Sequence, residues 1–275
     1  MIIPACDMHT HTVFSFDGRV LPFDLCSDAV KEGMAVLAIT EHYDFFTDRK
    51  YNYYNRFRKE RLESVERMKG LFGGRLKILK GIELGQPHYD MDEYGKVMAA
   101  DDYDVVVGSI HDLRRTPSSI YDMKYRDQAD CDSVFEEYFH EMNLMVDSCD
   151  FDILAHLDYP IRVMDGAFKA KSDLSGYKSL IVPILEKCVE KNIALEVNTA
   201  GTRKWINSPG PALWILKEYR RLGGEMLTMG SDAHRKGHCA WRFSEAFDLI
   251  REAGFDRTVY FEKRQPHFIM QDQEV

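Results

Sequence analysis

The chain has 275 residues, 45% of them hydrophobic, enough for a sizeable core in one large α/β domain or two small ones. Its formal net charge of −9 argues against the broad basic surface that binds polymeric nucleic acid, while leaving room for a local cationic pocket. The six cysteines (Cys6, Cys26, Cys131, Cys149, Cys188, Cys239) are scattered without a C-x-x-C pair, the short apolar run at the start lacks a basic flank, and no stretch approaches a membrane span. These features point away from a disulfide framework, a Cys-rich zinc site or a membrane protein, and towards a reduced, cytoplasmic one.

Short apolar runs alternate with helical stretches along the chain. Strands are expected over 3–8, 35–40, 76–82, 103–110, 151–155, 193–198, 226–230 and 258–262, because these runs are short, apolar and mostly bounded by polar or turn residues. In 60–72, Leu62, Val65, Met68, Leu71 and Phe72 recur at helical spacing, and Gly73-Gly74 ends the run. In 131–149, Val134, Tyr138, Met142 and Met145 do the same. Pro183 lies inside SLIVPILEKCVEK, so that helix begins near it or is kinked. The 211–222 run opens with Pro211 and stops at Gly223. The segments 84–102 and 112–130 read as long insertions after strands. Alternation over the whole length predicts one α/β domain spanning 1–275, most simply a barrel.

Six of the expected strands end in residues of metal-ligand type. His9 and His11 follow the first, with Asp17 just beyond; Glu41-His42 follow the second; Glu83 closes the third. His111 and His156 follow the fourth and fifth, and Asp232 and His234 follow 226–230. In a parallel barrel all these ends meet at one face, and side chains two apart on a strand share a side, so Asp7, His9 and His11 can project together, as can Asp232 and His234. His140, His88 and His267 lie in a helix, an insertion and the C-terminal tail, away from this pattern, and His238 sits close to the last motif. Imidazole and carboxylate suit zinc, manganese or iron rather than magnesium or calcium, and nine candidates exceed the three protein ligands of one catalytic zinc. Two or three divalent ions sharing carboxylates fit that number.

The set HTH, DG, TEH, GIE, GSIH, AHLD and GSDAH, in this order over residues 7 to 234, resembles the PHP (polymerase and histidinol phosphatase) metallo-phosphoesterases. Within them the length, GIELG, GSIHDL and the closing VYFEKRQP look most like the stand-alone histidinol-phosphatases. The resemblance implies a distorted (β/α)7 barrel with a trinuclear site. Matched by motif, His9, His11, Glu83 and Asp232 would hold one metal. Glu83, His111 and His156 would hold a second, and Asp17, His42 and His234 a third. Some relatives carry His where this chain has Asp17.

Such metals favour in-line attack on a phosphate monoester by a bridging hydroxide, without a covalent enzyme intermediate. Asp17, His42 and Asp232 are the candidate catalytic residues, with Asp17 or a bound water protonating the leaving oxygen. Arg162, Arg203 and Arg235, each past a strand end, are candidates to grip the phosphate. Arg114-Arg115 are candidates for a lid, and the tyrosine-rich stretch 50–57 for a substrate wall. The expected reaction is hydrolysis of L-histidinol phosphate in histidine biosynthesis. The alternatives are a phosphoesterase of the same type acting on another small ester or nucleotide, a C–N-hydrolysing barrel, and a non-enzymatic metal-binding protein.

Overall fold

The computed structural model describes residues 5–45, 53–115, 120, 125–168, 174–203 and 207–270. The elements are β1 (Ala5–Asp7), α1 (Pro22–Lys31), β2 (Met34–Asp44), α2 (Arg58–Phe72), β3 (Lys77–Gly85), α3 (Met91–Ala100), β4 (Val105–Ser109) and α4 (Gln128–Ser148). They continue as β5 (Ile153–Leu154), α5 (Tyr159–Phe168), α6 (Lys178–Glu190), β6 (Ala194–Asn198), α7 (Leu213–Arg221), β7 (Leu227–Gly230), α8 (Phe243–Glu252), β8 (Arg257–Glu262) and β9 (Gln265–Met270). Strands β1 to β7 form one parallel sheet in sequence order. The ends nearly close it into a barrel. Met8 N–H donates to Met229 O at 2.9 Å, Asp232 N–H to His9 O at 2.8 Å, and His11 N–H to Ala233 O at 2.8 Å.

Each strand splits its side chains between two environments. Val36 and Ala38 of β2, Leu79 of β3, Val105 and Val107 of β4, Ile153 of β5 and Ala194 of β6 pack into a small inner core. Their neighbours Leu37, Ile39, Ile78, Ile82, Val106, Leu154 and Leu195 face the helices in the larger outer core. This is the period-two alternation of a sheet with both faces covered. Two helices start at side-chain caps: Asp90 accepts from Glu93 N–H at 2.9 Å before α3, and Asp127 from Asp130 N–H at 3.0 Å before α4.

Several expectations need correction. The eighth expected strand is not part of the barrel. As β8 it pairs antiparallel with β9, and its Val259 and Phe261 enter the inner core among the first residues of the barrel strands. Arg264 at the turn binds Asp150 at 2.9 Å and Asp152 at 3.1 Å, and its N–H donates to Asp104 O at 2.8 Å. Asp104 and Asp152 directly precede β4 and β5, so the hairpin stoppers the N-terminal mouth. Segment 84–102 is no insertion; it holds the end of β3 and the ordinary crossover helix α3. On α2 the buried stripe is Arg61, Val65, Met68 and Phe72, while Leu71 is exposed. A search for apolar spacing misses Arg61, whose guanidinium lies 3.1 Å from Asp101 and over the Tyr54 ring. Pro211 precedes α7 rather than starting it, and α6 runs through Pro183. The four residues Val134, Tyr138, Met142 and Met145 are all buried along α4.

Phe261 is 2% exposed and packs with the inner core. Phe261→Ala is expected to cost about 3–5 kcal/mol in urea unfolding, as large cavities do, with the metal content of the folded protein unchanged.

Candidate metal centre

Two of the candidate ligands lie inside strands rather than after them. β2 and β3 run further than expected, and His42 stands directly beside Glu83 in the parallel register. The inward parity that places Val36 and Ala38 in the inner core continues to His42; that of Leu79 continues through Gly81 to Glu83; that of Val105 and Val107 continues through Ser109 to His111. The same side chains that fill the barrel low down become ligands at its C-terminal mouth. His156 and Asp232 follow β5 and β7, and each turns inward through a left-handed backbone, with φ of 23° and 53°. That conformation is costly for a residue with a Cβ and persists only where its surroundings impose it.

Glu83 is the hub. Its Oε2 lies 3.2 Å from His9 Nε2, 3.4 Å from His11 Nε2 and 2.7 Å from His42 Nδ1. Its Oε1 lies 3.1 Å from His111 Nε2 and 3.1 Å from His156 Nε2. Asp232 Oδ1 faces His11 Nε2 at 3.5 Å and His234 Nδ1 at 3.3 Å. Asp17 stands at the rim, its side chain 44% exposed, 3.5 Å from His42 Nε2 and 3.3 Å from His234 Nε2. The imidazoles of His42 and His234 flank His11 with ring centroids 4.0 and 4.2 Å away. All nine sequence candidates therefore meet in one place.

The residues fit bound divalent ions. His9 Nε2, His11 Nε2, His42 Nδ1 and Glu83 Oε2 are buried without a hydrogen-bond partner among the described residues. They crowd together at distances where hydrogen bonds would form if their angles allowed it, as lone pairs do when aimed at a shared cation. Four triads have ligand atoms close enough to share an ion: His9-His11-Asp232, His9-Glu83-His156, His42-Glu83-His111 and His11-His42-His234. Burial alone would neutralise the Glu83 carboxylate, but His9, His42 and His111 hold it well below the usual range. Asp232 is likewise held low against burial by His9, His234 and Arg162. Burial, with His42 and His234 beside it, keeps His11 well below its usual value, in the neutral form that ligates a metal. Burial also opposes charge on His111, yet Glu83 and Asp44 lift it to about 10.

The far ring nitrogens are held too, by residues that the search for ligands at strand ends misses. Glu196 Oε1 accepts from His9 Nδ1 at 2.7 Å, and Asp44 Oδ1 from His111 Nδ1 at 2.7 Å. His11 Nδ1 meets Ser15 Oγ at 3.2 Å, and Ser15 in turn donates to Glu41. Such partners fix ring orientation and raise ligand basicity. Glu196 shows in the sequence only as a carboxylate inside the apolar run IALEVN. Asp44 follows His42 by two residues on the same strand, a spacing that shares a face. Asp7 joins neither group: its carboxylate accepts from Ser231 N–H at 2.9 Å, Ala240 N–H at 3.1 Å and the His9 backbone N–H at 3.5 Å.

The arginines divide. Arg162 is buried, with Nη1 donating to Asp232 Oδ2 at 2.9 Å and Nη2 to Asn198 Oδ1 at 2.6 Å. Arg203 donates to the carbonyls of Ser231 at 2.7 Å and Asp232 at 2.8 Å. Arg235 is exposed just beyond His234. Arg114 lies over the Tyr89 ring with its Nε 4.0 Å from Glu141. Residues 50–52 of the tyrosine-rich stretch fall outside the described residues; Tyr53 donates to Val13 O at 3.0 Å and Tyr54 is buried against Arg61. His88 is half-buried, with Nε2 2.7 Å from Glu141, while His140 is exposed on α4 and His267 stacks on Tyr260.

The family described as the PHP domain matches residues 7–200. A protein of Thermotoga maritima named probable histidinol-phosphatase is 30% identical over 250 residues, covering 91% of this chain and 93% of its own. A histidinol-phosphatase of Lactococcus lactis is 25% identical, covering 93% of both chains. Among solved structures, a histidinol phosphate phosphatase of Lactococcus lactis, crystallised with zinc, L-histidinol and phosphate, superposes with a TM-score of 0.80 at 23% identity, over 96% of this chain and 99% of that one. Its likeness carries the fold. All six cysteines are free and buried, and no helix among the described residues is long and apolar enough to cross a membrane.

Stripping divalent ions with a chelator is expected to lower the melting temperature, and added Zn²⁺ to restore it. An ion at a thousandfold excess over its Kd contributes about 4 kcal/mol, and each kcal/mol moves Tm by about 2–4 °C in a domain approaching this size. Differential scanning calorimetry with and without chelator reads the difference.

Proposed function

We propose that this chain, which belongs to the PHP domain family, is a metal-dependent phosphomonoesterase that hydrolyses L-histidinol phosphate to L-histidinol and phosphate, a step of histidine biosynthesis. The observation that carries the chemistry is the Glu83 hub, with five imidazoles within 3.4 Å of one buried carboxylate. The substrate rests on relatives of that name, which align over more than nine tenths of the chain.

Two or three ions, zinc, manganese or iron, fit the donor set. His9, His11, Glu83 and Asp232 would hold one, Glu83, His111 and His156 a second, and Asp17, His42 and His234 a third. The triads His9-His11-Asp232 and His11-His42-His234 support the first and third groupings. Bound there, divalent ions lower the pKa of water and neutralise charge on phosphoryl oxygens. The protein supplies the rest. His42 and Asp232 line the attacking side of the site from the two strands that flank β1. Arg203 and Arg235 flank the 231–234 turn and bring guanidinium charge to a phosphate dianion, and Arg162 secures Asp232 while adding positive charge to the same wall. Asp17 stands half open to solvent at the rim, its carboxylate held low against burial by His42 and His234, so it would hand a proton from solvent water to the leaving alkoxide rather than store one. The six free cysteines support a reducing, cytoplasmic setting.

Phosphate release by Zn- or Mn-loaded protein from histidinol phosphate, an aryl phosphate and a nucleoside monophosphate, run side by side, tests the substrate. A strong preference for histidinol phosphate is expected; equal slow turnover of all three would leave a phosphoesterase of another small ester. His9→Ala and Asp232→Ala should each lower kcat/KM by more than about a hundredfold, beyond the usual loss for a ligand's outer partner. Arg235→Ala should act mainly on KM, by about tenfold, as expected for one charge-assisted contact to phosphate.

A further inference from the structure

We propose that Glu196 is a positioning residue that dictates which nitrogen of His9 faces the metals and ties ligands from three strands into one buried unit. The inference rests on the metal-site reading above and is independent of the substrate. Glu196 is 1% exposed on β6, a strand that carries none of the nine candidate ligands. Its Oε1 accepts a hydrogen bond from His9 Nδ1–H at 2.7 Å. Its Oε2 accepts from the His156 backbone N–H at 2.7 Å and from Asn198 Nδ2 at 3.0 Å. Asn198 Oδ1 then accepts from Arg162 Nη2 at 2.6 Å, and Arg162 Nη1 reaches Asp232 Oδ2 at 2.9 Å. His9, His156 and Asp232, delivered by β1, β5 and β7, are thereby held by one hydrogen-bonded chain that starts at Glu196. Two of the three, His156 and Asp232, are the candidate ligands with left-handed backbones. The chain supplies the surroundings that such conformations require.

The chemistry of the carboxylate matters as well as its shape. Two of its partners, the His156 N–H and the Asn198 amide, are fixed as donors. A glutamine at 196 has one acceptor oxygen, and that oxygen must serve those donors. Its NH₂ then meets His9 Nδ1, which can only accept. The His9 proton moves to Nε2, the atom 3.2 Å from Glu83, and a protonated nitrogen cannot ligate. Gly230 leaves room for the pair: a Cβ there would collide with Glu196 Oε1 and come within 2.8 Å of His9 Cβ.

The test measures Zn²⁺ content after dialysis against graded chelator in wild type, Glu196→Gln and Glu196→Ala, together with ¹⁵N-histidine spectra of the Zn-loaded proteins. Wild type should retain zinc and show a slowly exchanging His9 Nδ1–H, assigned by its loss in His9→Gln. Glu196→Gln should fold and melt close to wild type without metal, but bind zinc about 10–100-fold more weakly, the range found for outer-shell partners, and lack that proton. Equal zinc retention in Glu196→Gln, or a wild type holding zinc without a protected His9 Nδ1–H, would overturn the role of Glu196. The spectrum needs only the wild-type fold, so a poorly folded variant does not rescue the idea. A wild type that retains no zinc at any chelator level would overturn the metal-site reading itself, a result distinct from the other two.

Discussion

A carboxylate with no access to water has to be neutralised or surrounded by positive charge, and Glu83 meets that requirement at the centre of the barrel mouth. Burial works against its ionised form, and the imidazoles around it reverse that preference. No one strand can provide so many partners. His9 and His11 come from β1, His42 from β2, His111 from β4 and His156 from β5, so the hub is formed only when the sheet has curled far enough to bring these ends together. The site and the barrel are therefore a single constraint: strand order and parity place the ligands, and the ligands favour closure.

Closure itself uses the segments that carry ligands. Between β1 and β7 the backbone links run through Met8, His9 and His11 on one side and Met229, Asp232 and Ala233 on the other. Asp7 adds a side-chain link, accepting from Ser231 and Ala240. A shift in this seam would displace His9, His11 and Asp232 together, which couples the stability of the sheet to the geometry of the centre.

Much of this was legible in the sequence because ligand-type residues break apolar runs visibly. His42, Glu83, His111, His156 and Asp232 each end or overrun a hydrophobic strand, and a repeated coincidence of that kind has few structural causes. Boundaries were less legible. β2 and β3 continue through their ligands, since a buried polar pair in register continues a ladder as well as an apolar one. The outer partners were hidden for a different reason: Glu196 and Asp44 read as ordinary polar residues of strands, Glu41 stands out only as a neighbour of His42, and only three-dimensional packing reveals that each faces an imidazole or the hydroxyl that holds one. Arg61 on α2 is the same lesson in the core, a charge buried where spacing alone expects leucine. The hairpin was half legible: β8 reads as a strand, β9 as part of the tail, and strand character does not say which sheet a strand joins.

That hairpin gives the barrel a floor. Phe261 and Val259 fill the end opposite the metal centre, and Arg264 bolts the turn to the acids beneath β4 and β5. The end at the hairpin is therefore closed. Among the nine candidate ligands the ones open to solvent are Asp17 and His234, with side chains 44% and 21% exposed, while the other seven are buried. Exchange at such a centre would be graded by depth: anything held at the rim would trade with solvent before anything held beside Glu83.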